Sequence, residues 1–114
     1  MKKENKLEAR IQQDIVTWFT NTYGLKNHNP KCLIFSVPNE GKNAKEQMYK
    51  KMIGMKSGVS DLIVVTQGRL IFVEVKDDTG KQSENQIQFQ NDVKALGFEY
   101  YLVRSLEDFK ACLI

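Results

Sequence analysis

The stretch that decides the fold of this chain is Gly58-Val-Ser-Asp61-Leu-Ile-Val-Val-Thr-Gln-Gly68-Arg-Leu-Ile-Phe-Val-Glu74-Val-Lys76. Residues 62–65 and 70–75 are two apolar runs rich in β-branched side chains, and Gln67-Gly68 separates them. Short runs of this kind bounded by Gly indicate strands, so the stretch predicts a β-hairpin. Because the runs are almost continuously apolar, we expect the sheet to be buried on both faces.

Three ionisable residues stand at the open end of this hairpin: Asp61 before the first strand, and Glu74 and Lys76 at the end of the second. Side chains alternate between the faces of a strand, so Glu74 and Lys76 project to one side while Val73 and Val75 point into the core. A hairpin lays the start of its first strand beside the end of its second. The spacing therefore predicts that Asp61 lies close to Glu74 and Lys76.

Two carboxylates and an ammonium in one place suggest a site for a divalent cation. Convergent carboxylates repel and raise each other's pKa unless a cation lies between them. Mg²⁺ is commonly held by one or two carboxylates together with waters and phosphate oxygens, so we expect Mg²⁺ here, with Mn²⁺ able to substitute. The alternative is a surface ion pair of Glu74 with Lys76 or Arg69, which would contribute only about 0–1 kcal/mol.

An Asp followed on a hairpin by Glu-x-Lys resembles the PD-(D/E)xK nuclease superfamily, and the chain resembles its VRR-NUC (virus-type replication-repair nuclease) family over nearly its whole length. The pattern is short and common by chance, so the order of the surrounding motifs carries the resemblance. Ser60 departs from the family, which usually has Pro before the Asp. The matching segments are Glu8-x-x-Ile11-Gln12, Pro38-Asn39-Glu40-Gly41, Gly54-x-x-x-Gly58-Val-Ser-Asp61, Glu74-Val-Lys76, Gly80-Lys81, Gln86 and Gly97-Phe-x-Tyr100.

The resemblance implies an α/β fold, a restriction-endonuclease-like mixed β-sheet flanked by helices, formed by residues 1–114 as a single domain. It implies metal-dependent hydrolysis of DNA by a homodimer that is selective for branched structures such as Holliday junctions. The implied metal ligands are Asp61, Glu74, the carbonyl of Val75 and Glu8. Lys76 and Gln86 complete the implied catalytic site.

The remaining elements are predicted from periodicity and capping. An apolar stripe at helical spacing predicts a helix over 7–23, with Leu7, Ile11, Ile15, Trp18 and Phe19 packing inward. We expect a strand at 32–37, a helix at 42–53, a helix at 83–96, a strand at 98–103 and a short helix from Ser105 to Cys112. Ser83 and Gln86 have capping-box spacing. The packing face of that helix is predicted to comprise Ile87, Phe89, Gln90, Val93 and Leu96.

The basic residues are concentrated in the first half of the chain. Residues 1–56 carry eleven Lys or Arg and five Asp or Glu, a net charge of +6, whereas residues 57–114 carry six and nine, a net charge of −3. Cations that hold a nucleic-acid backbone beside an acidic site suit a nuclease. We expect DNA contacts from Lys42, Lys45, Lys50, Lys51 and Lys56, with a solvated helix face as the alternative. Asn39 is equally compatible with substrate contact and with turn formation.

Composition excludes several classes of protein. No apolar run is long enough to cross a membrane, and the basic N-terminus lacks the apolar stretch of a secretory signal. Two cysteines without a Cys-x-x-Cys pair indicate a reducing cytoplasm, and the family resemblance implies that of a bacterial or phage-infected host cell. One histidine, His28, cannot form a site with several His ligands. A non-catalytic DNA-binding module with this fold, and a flap or RNA nuclease using the same site, remain alternatives.

Overall fold

The computed structural model describes residues 5–38 and 43–114. The predicted order of helices and strands is confirmed, and the bounds agree to within two residues. Asn39 and Lys42, both predicted to contact DNA, lie outside the described residues. The elements are α1 (Lys6–Tyr23), β1 (Leu33–Ser36), α2 (Ala44–Met52), β2 (Leu62–Thr66), β3 (Arg69–Val75), α3 (Glu84–Ala95), β4 (Glu99–Val103) and α4 (Leu106–Cys112).

The strands form one mixed sheet in the order β1-β2-β3-β4. β1 and β2 pair antiparallel, as do β2 and β3, whereas β3 and β4 pair parallel. The β2–β3 hairpin closes at Thr66 opposite Arg69, and Gly68 takes the positive φ of 76° that the turn requires. α3 is the crossover that a parallel pair needs. The predicted α/β fold, a mixed sheet flanked by helices, is therefore confirmed.

Each face of the sheet packs against different helices. On one face, the buried residues Ile15 and Phe19 of α1 and Phe109 of α4 cover the alternating apolar side chains of β2 and β3. On the other face, Phe89 and Val93 of α3 pack with Tyr100, Phe72 and Val59. Val73 and Val75 belong to the first core, as predicted. Glu74 consequently faces α3.

Three predicted core residues are exposed instead: Leu7, Ile87 and Leu96. Leu7 lies in the first turn of α1, outside the apolar core. Ile87 lies two residues from Phe89, which places it about 200° around the helix from that buried ring. Leu96 is the C-cap of α3 and follows its last helical residue. α3 therefore has one buried side as predicted, but that side is narrower than the predicted packing face.

α2 packs against none of the other helices or strands in the described part of the chain. Its predicted apolar face, with Met48, Met52 and Ile53, is exposed together with Tyr49, and Met52 reaches 80% exposure. The face therefore covers no part of the described core. Among the described residues, none of the helices combines the length and apolar character needed to span a bilayer.

Candidate active site

Asp61 lies where the hairpin opens, just before β2. Its Oδ2 accepts a hydrogen bond from the N–H of Val75, at 2.8 Å, at the end of β3. The carbonyl of Val75 points to the same side of β3, because the N–H and C=O of one strand residue share a direction. Ser60 is fully buried and its Oγ donates to the carbonyl of Leu62 at 3.2 Å. This hydrogen bond fixes the backbone next to Asp61, at the position where the family pattern usually has Pro.

Glu74 is a buried carboxyl, only 1% exposed, on the face of β3 that α3 covers. Its Oε2 accepts from Nε2 of Gln86 at 3.0 Å and lies 3.5 Å from Nζ of Lys76, whose side chain is 11% exposed. Its Oε1 is buried and has no hydrogen-bond partner among the described residues. A surface ion pair is therefore the wrong interpretation of Glu74 and Lys76, since Glu74 is buried and the Lys76 side chain is only partly exposed.

Arg69 is also excluded as a partner of Glu74. It begins β3, at the opposite end of that strand, and its Nη2 lies 2.6 Å from Oε1 of Glu99. The same guanidinium donates to the carbonyl of Cys112 at 2.9 Å, which ties the end of α4 to the sheet. Arg69 is a structural residue.

The electrostatics of the site follow from burial. Removal from water raises the pKa of the Glu74 carboxyl to about 8; the negative charge of Asp61 adds to the rise, and the ammonium of Lys76 opposes it. Tyr100 is 3% exposed, and burial together with the charge of Glu74 raises the pKa of its hydroxyl. A buried acid that is hard to ionise, beside a second carboxylate, favours the binding of a cation at this point.

Gln86 has the two contacts that its sequence position predicts. Ser83 and Gln86 form a complete capping box at the start of α3, with Oε1 of Gln86 accepting from the N–H of Ser83 at 2.8 Å. Its Nε2 is thereby left to donate to Glu74. One side chain both starts the helix and orients the carboxyl.

Gly58 sets the position of α3 against the loop that leads to Asp61. It has φ of +79°, and a Cβ at this position would lie 2.2 Å from the carbonyl oxygen of Asn85. Only glycine allows the two backbones to approach so closely. The contact brings the first turn of α3, and with it Gln86, to the site.

Glu8 lies against the loop that follows β3. Its Oε2 accepts from Nδ2 of Asn5 at 3.0 Å and from the N–H of Asp77 at 3.4 Å. A Cβ on Gly80 would lie 3.0 Å from that same oxygen and 3.2 Å from Cβ of Lys76. Glu8 is therefore near Lys76 and the loop after β3. Among the described residues, its hydrogen bonds go to Asn5 and to that loop, and none involves Asp61 or Glu74.

The loop of residues 77–80 is rigidly held. Asp77 accepts from the N–H groups of Thr79 and Gly80 through Oδ1 and from Asn5 through Oδ2, and this hydrogen bonding lowers the pKa of its carboxyl. Arg104 donates to the carbonyls of Asp77 and Gly80. Asp77 was not predicted as a metal ligand, and its contacts are those of a turn. Nothing in the sequence pattern identifies Arg104, a single arginine after β4.

The predicted DNA-contacting lysines in the described part of the chain lie on or just after α2. Lys45, Lys51 and Lys56 are exposed. Lys50 forms an ion pair with Glu46 one turn earlier, at 2.9 Å. None of the four contacts Asp61 or Glu74.

A polar contact beside the site went unpredicted. Nε2 of Gln82 donates to the hydroxyl oxygen of Tyr100 at 3.2 Å and to Oε1 of Gln90 at 2.8 Å. Tyr100 belongs to the motif Gly97-Phe-x-Tyr100, which was the only signal for it. The contact fixes a nearly buried hydroxyl on the strand that pairs with Glu74's strand.

The donors at this point fit a magnesium ion. Within residues 5–38 and 43–114, no three or more His, Cys, Asp or Glu side chains gather as a ligand set. Mg²⁺ does not need such a set, because it is commonly held by one or two carboxylates and several waters. Oε1 of Glu74 is buried and finds no hydrogen-bond partner in the described part of the chain, and a carboxylate oxygen in that state is costly unless a cation or proton satisfies it. Asp61 and Glu74 are compatible with that requirement.

Known proteins similar to this chain were found in two ways. The family model of the VRR-NUC domain matches residues 3–107. A solved structure described as a VRR_NUC domain protein aligns with a TM-score of 0.73 and 17% identity, covering 97% of this chain and 88% of its own. Another, described as a VRR_NUC domain, aligns with a TM-score of 0.65 and 23% identity, covering 94% of each chain. At these identities the structural similarity establishes the fold. None of the curated proteins matches.

Proposed function

The chain belongs to the VRR-NUC domain family, and from that membership and the geometry of its site we propose that it is a metal-dependent nuclease that hydrolyses DNA phosphodiester bonds. The observation that carries the proposal is Glu74, a buried carboxyl with one oxygen held by Gln86 and the other without a hydrogen-bond partner among the described residues. Burial and the Asp61 carboxylate beside it raise the pKa of Glu74, so either a proton or a cation must satisfy this pair of acids, and a bound cation is what we propose.

In this proposal, Asp61, Glu74 and the carbonyl of Val75 hold Mg²⁺ or Mn²⁺, and Glu8, which lies against the loop after β3, is a further candidate ligand. When bound, the ion would supply Lewis-acid polarisation of the phosphate and a water of lowered pKa. Asp61 serves the site through one oxygen while the other remains hydrogen-bonded to Val75. The carboxylates are thus held in place by the sheet and by α3 before any ion binds.

Lys76 provides a positive charge beside Glu74. Its ammonium lies 3.5 Å from Oε2 of Glu74 and has three N–H donors, so it can also bind a water or a phosphate oxygen. It orients the attacking water and stabilises the negative charge that develops on the phosphate. Its low exposure strengthens both interactions, since buried charges are less screened by water and salt.

Gln86 is a positioning residue in this mechanism. Its Oε1 is fixed by the N–H of Ser83, so its Nε2 points at Oε2 of Glu74 in a defined direction. This hydrogen bond fixes the plane of the Glu74 carboxyl and directs Oε1 of Glu74 away from α3. The capping box is therefore part of the site as well as of the helix.

We propose branched DNA, such as a four-way Holliday junction, as the preferred substrate. The lysines on and after α2 suit contacts with the phosphate backbone, which carry no sequence information. Recognition then depends on the shape of the DNA. Two copies related by a twofold axis would match the symmetry of a junction.

Two exposed apolar surfaces support a homodimer. Met48, Tyr49, Met52 and Ile53 form one on α2, and Leu33 and Phe35 form another on the edge strand β1. Contiguous exposed apolar side chains are typical of interaction surfaces. The outer edge of β1 pairs with no strand in the described part of the chain, and such an edge can pair with a strand of another molecule. A second copy of the chain is the partner we propose for them.

The test is incubation of the purified protein with a four-way junction, a flap, a linear duplex and single-stranded DNA and RNA, in Mg²⁺, Mn²⁺ or EDTA. We expect paired nicks in the junction with either metal and no cleavage in EDTA. The Glu74→Gln variant should cleave none of these substrates. Binding without cleavage under every metal would replace the proposal with a non-catalytic DNA-binding module. Preferential cleavage of the flap or of RNA would keep the site and change the substrate.

A further inference from the structure

A groove of about 340 Å³ lies along α3, the helix that also carries Gln86 of the proposed active site. One wall is the segment that links α2 to β2, including Met55 and Lys56, and the other is the exposed side of α3, including Asn85 and Gln88. The volume is at the lower end of the range for ligand-binding clefts, which starts at about 300 Å³. The groove and the site share the first turn of α3: Asn85 lines the groove, Gln86 contacts Glu74, and the backbone of Asn85 meets Gly58 in the loop that leads to Asp61.

The groove carries a net positive charge. Lys51 and Lys56 line it, and neither forms an ion pair with another residue of the described segments. Asp92 also lines it, but this carboxylate is partly engaged, since its Oδ1 accepts from Nε2 of Gln88 at 2.9 Å. Two lysines at the rim of a cleft attract phosphate groups.

The wall formed by α3 offers both hydrogen-bond donors and acceptors. The Asn85 side chain forms no hydrogen bond within the described part of the chain. Gln88 donates one N–H to Asp92 and keeps its carbonyl oxygen and second N–H. Primary amides present a donor next to an acceptor, the arrangement that complements the edge of a nucleobase. Met55 and the largely buried ring of Phe89 add apolar surface between them.

We propose that this groove binds one unpaired nucleotide of the DNA strand next to the scissile phosphate, with its base against the amides and its phosphates on the lysines. The inference rests on the proposed nuclease function and specifies its substrate further. A base in a duplex has its Watson–Crick edge engaged and is enclosed in the stack, so only an unpaired or extruded base enters a cleft of this size. A branch point supplies such a nucleotide.

The experiment measures the binding of two fluorescent DNA probes in EDTA, where no cleavage is expected: a fully paired duplex and a duplex of equal strand length with splayed single-stranded arms. Wild-type protein should bind the splayed probe about tenfold more tightly than the paired one, the factor expected from an amide–base contact. Charge alone would favour the paired probe, because single strands have the lower charge density.

The test variant is Asn85→Ala/Gln88→Ala, and the matched control is Asn91→Ala, which removes an exposed amide from α3 outside the groove. The double variant should lose the preference for the splayed probe and keep the affinity for the duplex, while the control keeps both. If melting shows that the double variant is destabilised, Gln88→Ala alone decides.

Equal loss of affinity for both probes in the double variant would overturn the proposal, as would the absence of a preference in the wild type. The readout does not depend on catalysis. If the wild type cleaves nothing in Mg²⁺ but the double variant still loses the preference, the nuclease proposal fails and the nucleotide-binding groove is supported.

Discussion

At the scale of single residues, the buried Glu74 carboxyl makes the stability of the metal-free protein depend on pH. Its pKa is about 8 in the folded chain, compared with 4.5 for an ordinary glutamate. Between these values the folded state holds a proton that the unfolded state has released, so stability decreases as pH rises. The contribution of Glu74 is complete below about pH 4.5 and is lost as pH passes through about 8.

Glu74→Gln should remove most of this dependence. The amide stays neutral at every pH and its oxygen still accepts from Gln86. In EDTA we expect the variant to melt at least about 4 °C above the wild type near pH 9, and close to it near pH 5. Circular-dichroism melts measure this, with the exposed Glu84→Gln as the control. Parallel pH profiles for the wild type and Glu74→Gln would contradict the proposed burial effect.

Asp61 is proposed to bind the metal ion and also accepts a structural hydrogen bond from Val75, and two substitutions separate these two roles. Asp61→Ala leaves the buried N–H of Val75 without its acceptor, which costs about 1–3 kcal/mol. Asp61→Asn keeps an acceptor oxygen. We expect both variants to be inactive, and only the alanine variant to melt about 4 °C or more below the wild type. Equal melting temperatures for the two variants would show that the bond to Val75 contributes little.

At the scale of elements, the contact between Gly58 and α3 decides whether the site assembles. A methyl group at Gly58 would overlap the backbone of Asn85, so Gly58→Ala must displace the first turn of α3 and with it Gln86. Gly54 is the matched control: its φ is also positive, +109°, but a methyl group there would meet no atom within 4 Å.

We expect Gly54→Ala to lose about 1–3 kcal/mol of stability, the backbone strain of an alanine at this positive φ, with activity retained. Gly58→Ala should lose more stability and, where it remains folded, reduce the cleavage rate by about tenfold or more, as a displacement of a positioning group does. Melting and single-turnover cleavage measure both effects. Indistinguishable cleavage rates for the two variants would show that the position of α3 does not affect the cleavage step.

At the scale of the whole molecule, the lysines on α2 are expected to set the salt dependence of DNA binding. Each phosphate contact contributes about 0.9 to the slope of log K against log salt. The variant Lys45→Gln/Lys51→Gln should therefore reduce the slope by nearly 2. Lys26→Gln/Lys94→Gln has the same net charge and should leave it unchanged. Equal slopes for the two double variants would show that the α2 lysines are solvated and do not contact phosphate groups.

The exposed apolar face of α2 gives the prediction for assembly. Because Met48 and Met52 cover nothing within the described chain, Met48→Glu/Met52→Glu should convert a dimer to a monomer without lowering the melting temperature of the monomer. Light scattering coupled to gel filtration measures the mass. Leu96→Glu is the control, because Leu96 is equally exposed and lies outside α2. A monomeric wild type at the concentrations used for cleavage would refute the homodimer.

What the sequence determined by itself was local. Apolar patterns together with capping and turn residues predicted the helices and strands, and the spacing of Ser83 and Gln86 predicted the capping box. The hairpin placed Asp61 beside the end of β3. These features depend on interactions between residues near in sequence or joined by a tight turn. Local propensity and alternation are sufficient to predict them.

The tertiary structure decided what depends on which element covers which surface. The burial of Glu74, and with it the raised pKa, exists because α3 lies on that face of β3. The exposure of α2, the position of Glu8 against the loop after β3 and the groove along α3 also follow from packing. A sequence pattern identifies the apolar side of an element but not its partner, because burial depends on contacts between residues far apart in the chain.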